Sequence, residues 1–278
     1  MRRLTTIDGV RTWRKERAGS VGLVPTMGAL HAGHVSLVEA ARRETDRVLV
    51  SVFVNPTQFG PREDYARYPR DLEKDEALLE RAGADAVFAP SVEVMYPRGA
   101  ETTVDVGSVA APLEGERRPG HFRGVATVVL KLLEIATPDR AYFGEKDAQQ
   151  LAVVRRLVVD LDVPVEIRAC PIVREPDSLA LSSRNAYLSP AERRAATVLI
   201  RALRAAEEAW RQGERRGDAL RESMRRTLQG EPRARVDYAA VADPASFREI
   251  DVADGPVRLL LAVYVGETRL IDNLLLEP

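Results

Sequence analysis

Residues 25–34 read Pro25-Thr26-Met27-Gly28-Ala29-Leu30-His31-Ala32-Gly33-His34, and this stretch decides the fold. The apolar run Val21 to Pro25 ends in it, and the helical pattern Val35 to Glu44 starts from it. It is therefore a strand-to-helix turn. A glycine-bearing turn in that place is expected to bring backbone N–H groups and the positive end of a helix to one spot, which suits a phosphate. Two imidazoles three residues apart, His31 and His34, then reach the same phosphate oxygens and stabilise charge building on a pentavalent phosphorus. A capping turn with incidental histidines is the competing reading. The chain has only three histidines, and placing two of them here favours the chemical one.

Outward from this turn, short β-branched runs alternate with helical patterns, the signature of βαβ units around a parallel sheet. Val21 to Pro25 reads as the first strand and Arg47 to Val54 as the second. A helix is expected over Leu72 to Ala82 and a short strand over Ala86 to Ala89. Further on come a helix over Gly124 to Ala136, a strand ending at Tyr142-Phe143, a helix over Gln149 to Leu161 and a strand over Val165 to Cys170. After Pro171 the pattern changes to helices over Pro190 to Arg211 and Gly217 to Gln229, then strands over Arg235 to Val241, Val257 to Val265 and Thr268 to Ile271. The expected class is α/β: a Rossmann-like parallel sheet in an N-terminal domain, residues 1–172, and a smaller α+β C-terminal domain, residues 173–278. Ligands of such a sheet bind at the carboxyl ends of its strands.

Composition narrows the function. A formal net charge of −1 gives no global reason to expect nucleic acid or an anionic membrane as partner. The arginines from Arg193 to Arg235 are interleaved with Glu192, Glu207, Glu208, Glu214, Asp218 and Glu222, which reads as a solvated, ion-paired helix face. No apolar run approaches the roughly 20 residues that span a membrane, and no signal peptide is visible, so a cytoplasmic enzyme is expected. The single cysteine, Cys170, reads as a buried small hydrophobe. Of 41 basic residues only Lys15, Lys74, Lys131 and Lys146 are lysines. A lysine kept at a strand end, as Lys146 is, therefore suggests a specific charge.

The chemistry-bearing motifs appear in order: Phe53-Val54-Asn55-Pro56-Thr57-Gln58-Phe59, Tyr68-Pro69-Arg70, Arg118-Pro119-Gly120-His121-Phe122, Gly144-Glu145-Lys146-Asp147 and Leu181-Ser182-Ser183-Arg184-Asn185. Asn55 and Gln58 offer neutral amides to hydroxyl groups; an ordinary Asn-Pro turn is the alternative. Lys146 would place a point charge on phosphates, whereas a Glu-Lys-Asp run is commonly a solvated turn. Ser182, Ser183 and Arg184 supply two hydroxyls and a guanidinium suited to polyphosphate. The HxGH turn resembles the signature of the nucleotidyltransferase superfamily. The ordered set of motifs, from about Val21 to Leu188, resembles pantothenate synthetases.

That resemblance implies an ATP-dependent ligase that activates pantoate as an adenylate and joins it to β-alanine. It implies ATP contacts at Met27, His34, Gly144, Lys146, Asp147, Val173, Ser182, Ser183 and Arg184. Catalytic roles would fall to His31, His34, Lys146 and the Ser182-Ser183-Arg184 loop. Substrate contacts would fall to Asn55, Gln58, Gln150, Arg118 and His121, the last two framing a carboxylate. Mg²⁺ would ride on the phosphates with no protein metal site, the C-terminal domain would act as a lid, and the chain would form a homodimer. Another HxGH nucleotidyltransferase with a different acceptor is the alternative. The sequence departs from the family at Asp177-Ser178, where Asp-Gly is usual; positive φ there would strain Ser178.

Overall fold

A computed structural model describes residues 1–16, 18–61 and 63–277. The chain divides into two compact units, Met1–Glu145 with Gln149–Pro171, and Lys146–Ala148 with Ile172–Pro278.

The first unit is built on six strands, β1 (Arg2–Leu4), β2 (Val21–Thr26), β3 (Arg47–Val52), β4 (Ala86–Phe88), β5 (Arg140–Gly144) and β6 (Glu166–Cys170). They lie in the order β1-β4-β3-β2-β5-β6, and every pairing is parallel. The connecting helices are α1 (Ile7–Lys15), α2 (Ala32–Glu44), α3 (Leu72–Ala82), α4 (Val92–Met95), α5 (Glu114–Arg117), α6 (His121–Ala136) and α7 (Ala148–Asp160). Leu23 and Leu49 join Val129, Leu133 and Phe143 in one core, while their neighbours Val24, Val48 and Val50 join Val38, Leu79 and Tyr142 in another. Successive strand residues thus feed opposite faces, both covered. That is why these strands read as continuous apolar runs rather than as alternation. Each such buried Leu or Val contributes on the order of 2 kcal/mol.

Strand order places the ligand crevice. From β2 the chain moves through β3 to β4, and β5 then returns to the other side of β2. The carboxyl ends of β2 and β5 are therefore the switch point of the sheet. The turn 27–31 leaves β2 there, and Gly144 closes β5.

The second unit packs α8 (Pro190–Ala195), α9 (Val198–Arg211) and α10 (Gly217–Gln229) with an antiparallel sheet of β7 (Ala234–Ala242), β8 (Val257–Val265) and β9 (Thr268–Leu276). Leu199, Leu203, Ala206 and Trp210 of α9 share a core with Leu220, Met224 and Leu228 of α10 and with Val241, Leu259 and Leu261.

The structure differs from the sequence reading at several elements. Val21 begins the second strand, because β1 and α1 precede it; β1 is only three residues long and exists by pairing with β4. Helix α6 begins at His121 rather than Gly124. The helix expected over Pro190 to Arg211 breaks after Ala195 and resumes at Val198. Strand β9 continues past Ile271 to Leu276. Asp272 and Asn273 obscured that extension, but both are buried and paired, Asp272 with Arg174 and Asn273 with Arg258.

Candidate active site

At the exit of β2, Gly28 and Ala29 both take left-handed backbone, with φ of 78° and 51°. Helix α2 then starts with His31 as its N-cap. The Nδ1 atom of His31 accepts from Gly33 N–H at 3.1 Å, and Nδ1 of His34 accepts from His31 N–H at 3.3 Å. The two rings lie 4.1 Å apart, centroid to centroid. The histidines form a reciprocal capping box, so the capping reading of this turn holds, and it uses the two Nδ1 atoms. With each Nδ1 an acceptor, the neutral rings carry their protons on Nε2.

In the turn, the N–H groups of Gly28, Ala29, Leu30, His31, Gly33 and His34 already have intramolecular acceptors. Ala29 and Leu30 donate to the carboxylate of Asp75, from α3, at 3.0 and 2.8 Å. Asp75 is 2% exposed, and nothing in its sequence context announced it.

After β3, Asn55 is buried and its amide is fully used. Its Nδ2 donates to Gln58 Oε1 at 3.0 Å and to Gly124 O at 3.1 Å, while Oδ1 accepts from Thr57 Oγ1 and Tyr96 Oη, each at 2.9 Å. Asn55 therefore orients the Gln58 amide, whose Nε2 donates to Met27 Sδ at 3.0 Å. Gln58 and the HxGH turn are in direct contact. Helix α6 supports this loop closely: a Cβ on Gly124 would run into the Thr57 carbonyl.

Arg118 and His121 also serve the Gln58 loop. His121 Nδ1 lies 2.8 Å from the Gln58 carbonyl and must donate to it, and Nε2 lies 3.0 Å from Arg118 Nη1 and must accept. Burial, aided by the Arg118 charge, lowers the His121 pKa to about 4, so the ring is neutral. Arg118 is clamped by Glu63 through Nε at 2.8 Å and Nη2 at 2.6 Å, with Glu114 Oε2 3.8 Å from Nη1. A substrate carboxylate on Arg118 would compete with Glu63. Both residues contact the Gln58 carbonyl, Arg118 through Nη2 at 3.4 Å and His121 through Nδ1 at 2.8 Å. Gln150 is half-buried in the first turn of α7; its neighbour Gln149 is buried and ties down the 109–114 segment through Val109 O, Pro112 O and Glu114 N.

In the second unit, Lys146 Nζ lies 3.6 Å from Asp147 Oδ1, and the Lys146 carbonyl accepts from Asn273 Nδ2 of β9 at 3.0 Å. Val173 O accepts from Leu181 N–H at 3.0 Å, closing a loop across the Arg174 and Ala180 bridge. Ser178 sits in that loop with φ of 71°, the left-handed backbone foreseen for the position usually held by glycine. Arg174 pairs with the buried Asp272 at 2.7 and 2.9 Å and donates to Ser178 O at 3.1 Å. Ser182 caps the short helical turn Ser183–Tyr187 by accepting from Arg184 N–H at 3.3 Å. Among the described residues no group of three or more His, Cys, Asp or Glu side chains could hold a metal, and no helix is long and apolar enough to cross a membrane.

A family model described as pantoate-beta-alanine ligase matches residues 2–275. The chain is 61% identical to the pantothenate synthetase of Roseiflexus sp. (strain RS-1), with all of both chains covered. It is 59% identical to that of Chloroflexus aurantiacus (strain J-10-fl), with 99% of each covered. Among solved structures, a pantothenate synthetase from Thermus thermophilus superposes with a TM-score of 0.96 at 53% identity, covering 100% of both chains. A Francisella tularensis pantoate-beta-alanine ligase, complexed with beta-gamma ATP and beta-alanine, gives 0.78 at 37% identity, covering 99% of this chain and 97% of its own. With a capped His-x-x-His turn at the switch point, and likeness over the whole length to proteins of a single activity, this chain belongs to the pantoate-beta-alanine ligase family.

Proposed function

We propose that the chain joins pantoate to β-alanine in an ATP-dependent ligation that runs through pantoyl-adenylate and releases AMP and pyrophosphate. The observation that carries this reading is the reciprocal histidine cap at the head of α2, which holds two Nε2–H donors at the carboxyl end of β2. The relative complexed with beta-gamma ATP and beta-alanine supports both as substrates.

In the first half-reaction a pantoate carboxylate oxygen bonds to the α-phosphorus, the bond to the β-phosphate bridge breaks, and pyrophosphate leaves. In the second, the β-alanine amine bonds to the acyl carbon, and AMP leaves with the oxygen that came from pantoate. Donors aimed at developing charge suit this chemistry better than a general base does. His31 and His34 donate to the phosphates, Lys146 adds a point charge, and Ser182, Ser183 and Arg184 receive the departing pyrophosphate. Met27, Gly144, Asp147 and Val173 hold the nucleotide. Gln58 and Gln150 bind pantoate, with Asn55, Arg118 and His121 acting through Gln58. ATP enters as its magnesium complex, with the ion carried by the phosphates. The resemblance also supports a homodimer and a lid role for residues 173–278. The test is AMP formation by the purified chain: it should require ATP, pantoate and β-alanine together. AMP release indifferent to pantoate would overturn the reading.

A further inference from the structure

We infer that Asp75 is a positioning residue for the ATP site: its buried carboxylate bridges Ala29 and Leu30 and sets the turn that carries His31, His34 and Met27. The inference rests on reading that turn as the ATP site.

The geometry is specific. Both carboxylate oxygens are used, Oδ2 by Ala29 N–H at 3.0 Å and Oδ1 by Leu30 N–H at 2.8 Å, across 46 and 45 residues of sequence. No cation lies within ion-pair distance of Asp75 among the described residues. A carboxylate buried at 2% exposure against two neutral amides is an unfavourable choice for packing alone. Burial accordingly pushes its carboxyl above the ordinary value, against the pull of the two amide bonds. An apolar side chain on α3 would fill the space without that cost, so the group is explained by what it holds.

What it holds is the least favourable backbone of the site. Ala29, a residue with a Cβ, is left-handed beside left-handed Gly28, and a bidentate acceptor compensates that conformation with two bonds. The carboxylate also enforces glycine at residue 28, since a Cβ there would lie 2.8 Å from Asp75 Oδ2. Leu30 leads directly into the His31 N-cap, and His31 N–H in turn fixes the His34 ring. Met27, at the other end of the turn, receives Gln58 Nε2–H. Rotation of this one turn would displace both phosphate donors and loosen the pantoate amide.

The test compares Asp75→Asn, which keeps size but can accept from only one amide through one oxygen, with wild type. Pantoate-dependent ATP–pyrophosphate exchange and full turnover are measured with each substrate varied, alongside urea unfolding. Asp75→Asn should raise KM for ATP at least tenfold and lower the exchange rate, while KM for β-alanine stays within twofold and the urea midpoint is held. Gly28→Ala, which presses on the same carboxylate from the turn side, should give the same ATP-selective change and decides the matter if Asp75→Asn does not fold. Wild-type KM for ATP in both variants, or losses that fall equally on ATP, β-alanine and the urea midpoint, would overturn the assignment. His34→Ala separates the two levels. If it loses exchange while Asp75→Asn matches wild type, only the positioning role is lost; if it too turns over normally, the reading of the turn is wrong.

Discussion

In the proposed reaction His34 uses Nδ1 for the fold and Nε2 for the chemistry, and substitution can separate the two. His34→Asn places Oδ1 near the position of Nδ1 and retains an acceptor for His31 N–H, but has nothing at Nε2. It should fold with a thermal midpoint close to wild type and release pyrophosphate on the order of 10²-fold more slowly, the scale of losing one transition-state donor. His34→Ala loses the cap as well and should cost roughly 1 kcal/mol more in stability. Near-normal release by His34→Asn would remove the ring from the chemistry. Lys146→Ala should show the same order of rate loss without the stability change, read by the same assay. His121 behaves oppositely, as a neutral group of the fold. Its folded pKa of about 4 lies below the ordinary 6.5, so the unfolded chain takes up the extra proton between those values. Stability is therefore full above about pH 6.5 and is lost as pH falls towards 4, by on the order of 3 kcal/mol from this residue. His121→Asn, with an amide to donate to the Gln58 carbonyl, should flatten this part of the urea-midpoint profile between pH 7.5 and 4.5. Carboxylates such as Glu44 and Asp177, lowered by hydrogen bonds from Arg168 and Arg193, titrate in both proteins and cancel in the difference. Equal profiles would mean that the ring is not buried as a neutral donor.

Among elements, α6 shows how a helix face supports a distant loop, the one that carries Gln58. Gly124 lets the Thr57-Gln58 peptide rest on the helix backbone, and its carbonyl takes the Asn55 amide. Gly124→Ala must push that peptide away. The expected cost is about 1–3 kcal/mol of stability, with KM for pantoate raised roughly tenfold and KM for ATP little changed, because a displaced amide leaves substrate groups unpaired. Steady-state kinetics with each substrate varied will show it; an ATP effect as large as the pantoate effect would count against it. Such contacts also mark the limit of what the sequence discloses. The strand-turn-helix at 25–34, the histidine pair and the lysine at the end of β5 are local in sequence and were legible. Ser178 was legible too, as a side chain where the backbone needs a left-handed turn. Asp75, Glu63 and Gly124 act across 45 to 69 residues and have no local signature. Arg118 and His121 were visible as candidates, but their contacts with Glu63 and the Gln58 carbonyl were not. Strand β1 escaped for the same reason, since its partner β4 is remote in the chain.

For the whole molecule, unit one carries the histidine pair and Gln58, and unit two carries Lys146 with the Ser182-Ser183-Arg184 loop. The proposed adenylate route requires attack at the α-phosphorus of ATP rather than at the γ-phosphorus. The two routes move different oxygens. Attack at the α-phosphorus makes a pantoate oxygen the bridge of the adenylate, and displacement by β-alanine at the acyl carbon sends that oxygen out on AMP. Pantoate labelled with heavy oxygen in its carboxylate should therefore give AMP carrying one labelled oxygen, with unlabelled pyrophosphate. ATP–pyrophosphate exchange should require pantoate and proceed without β-alanine, because the first half-reaction is complete before the amine attacks. Mass spectrometry of the nucleotide product decides between the routes. Label in inorganic phosphate with ADP as coproduct would assign an acyl phosphate, and the histidine pair would then have to serve the γ-phosphate instead.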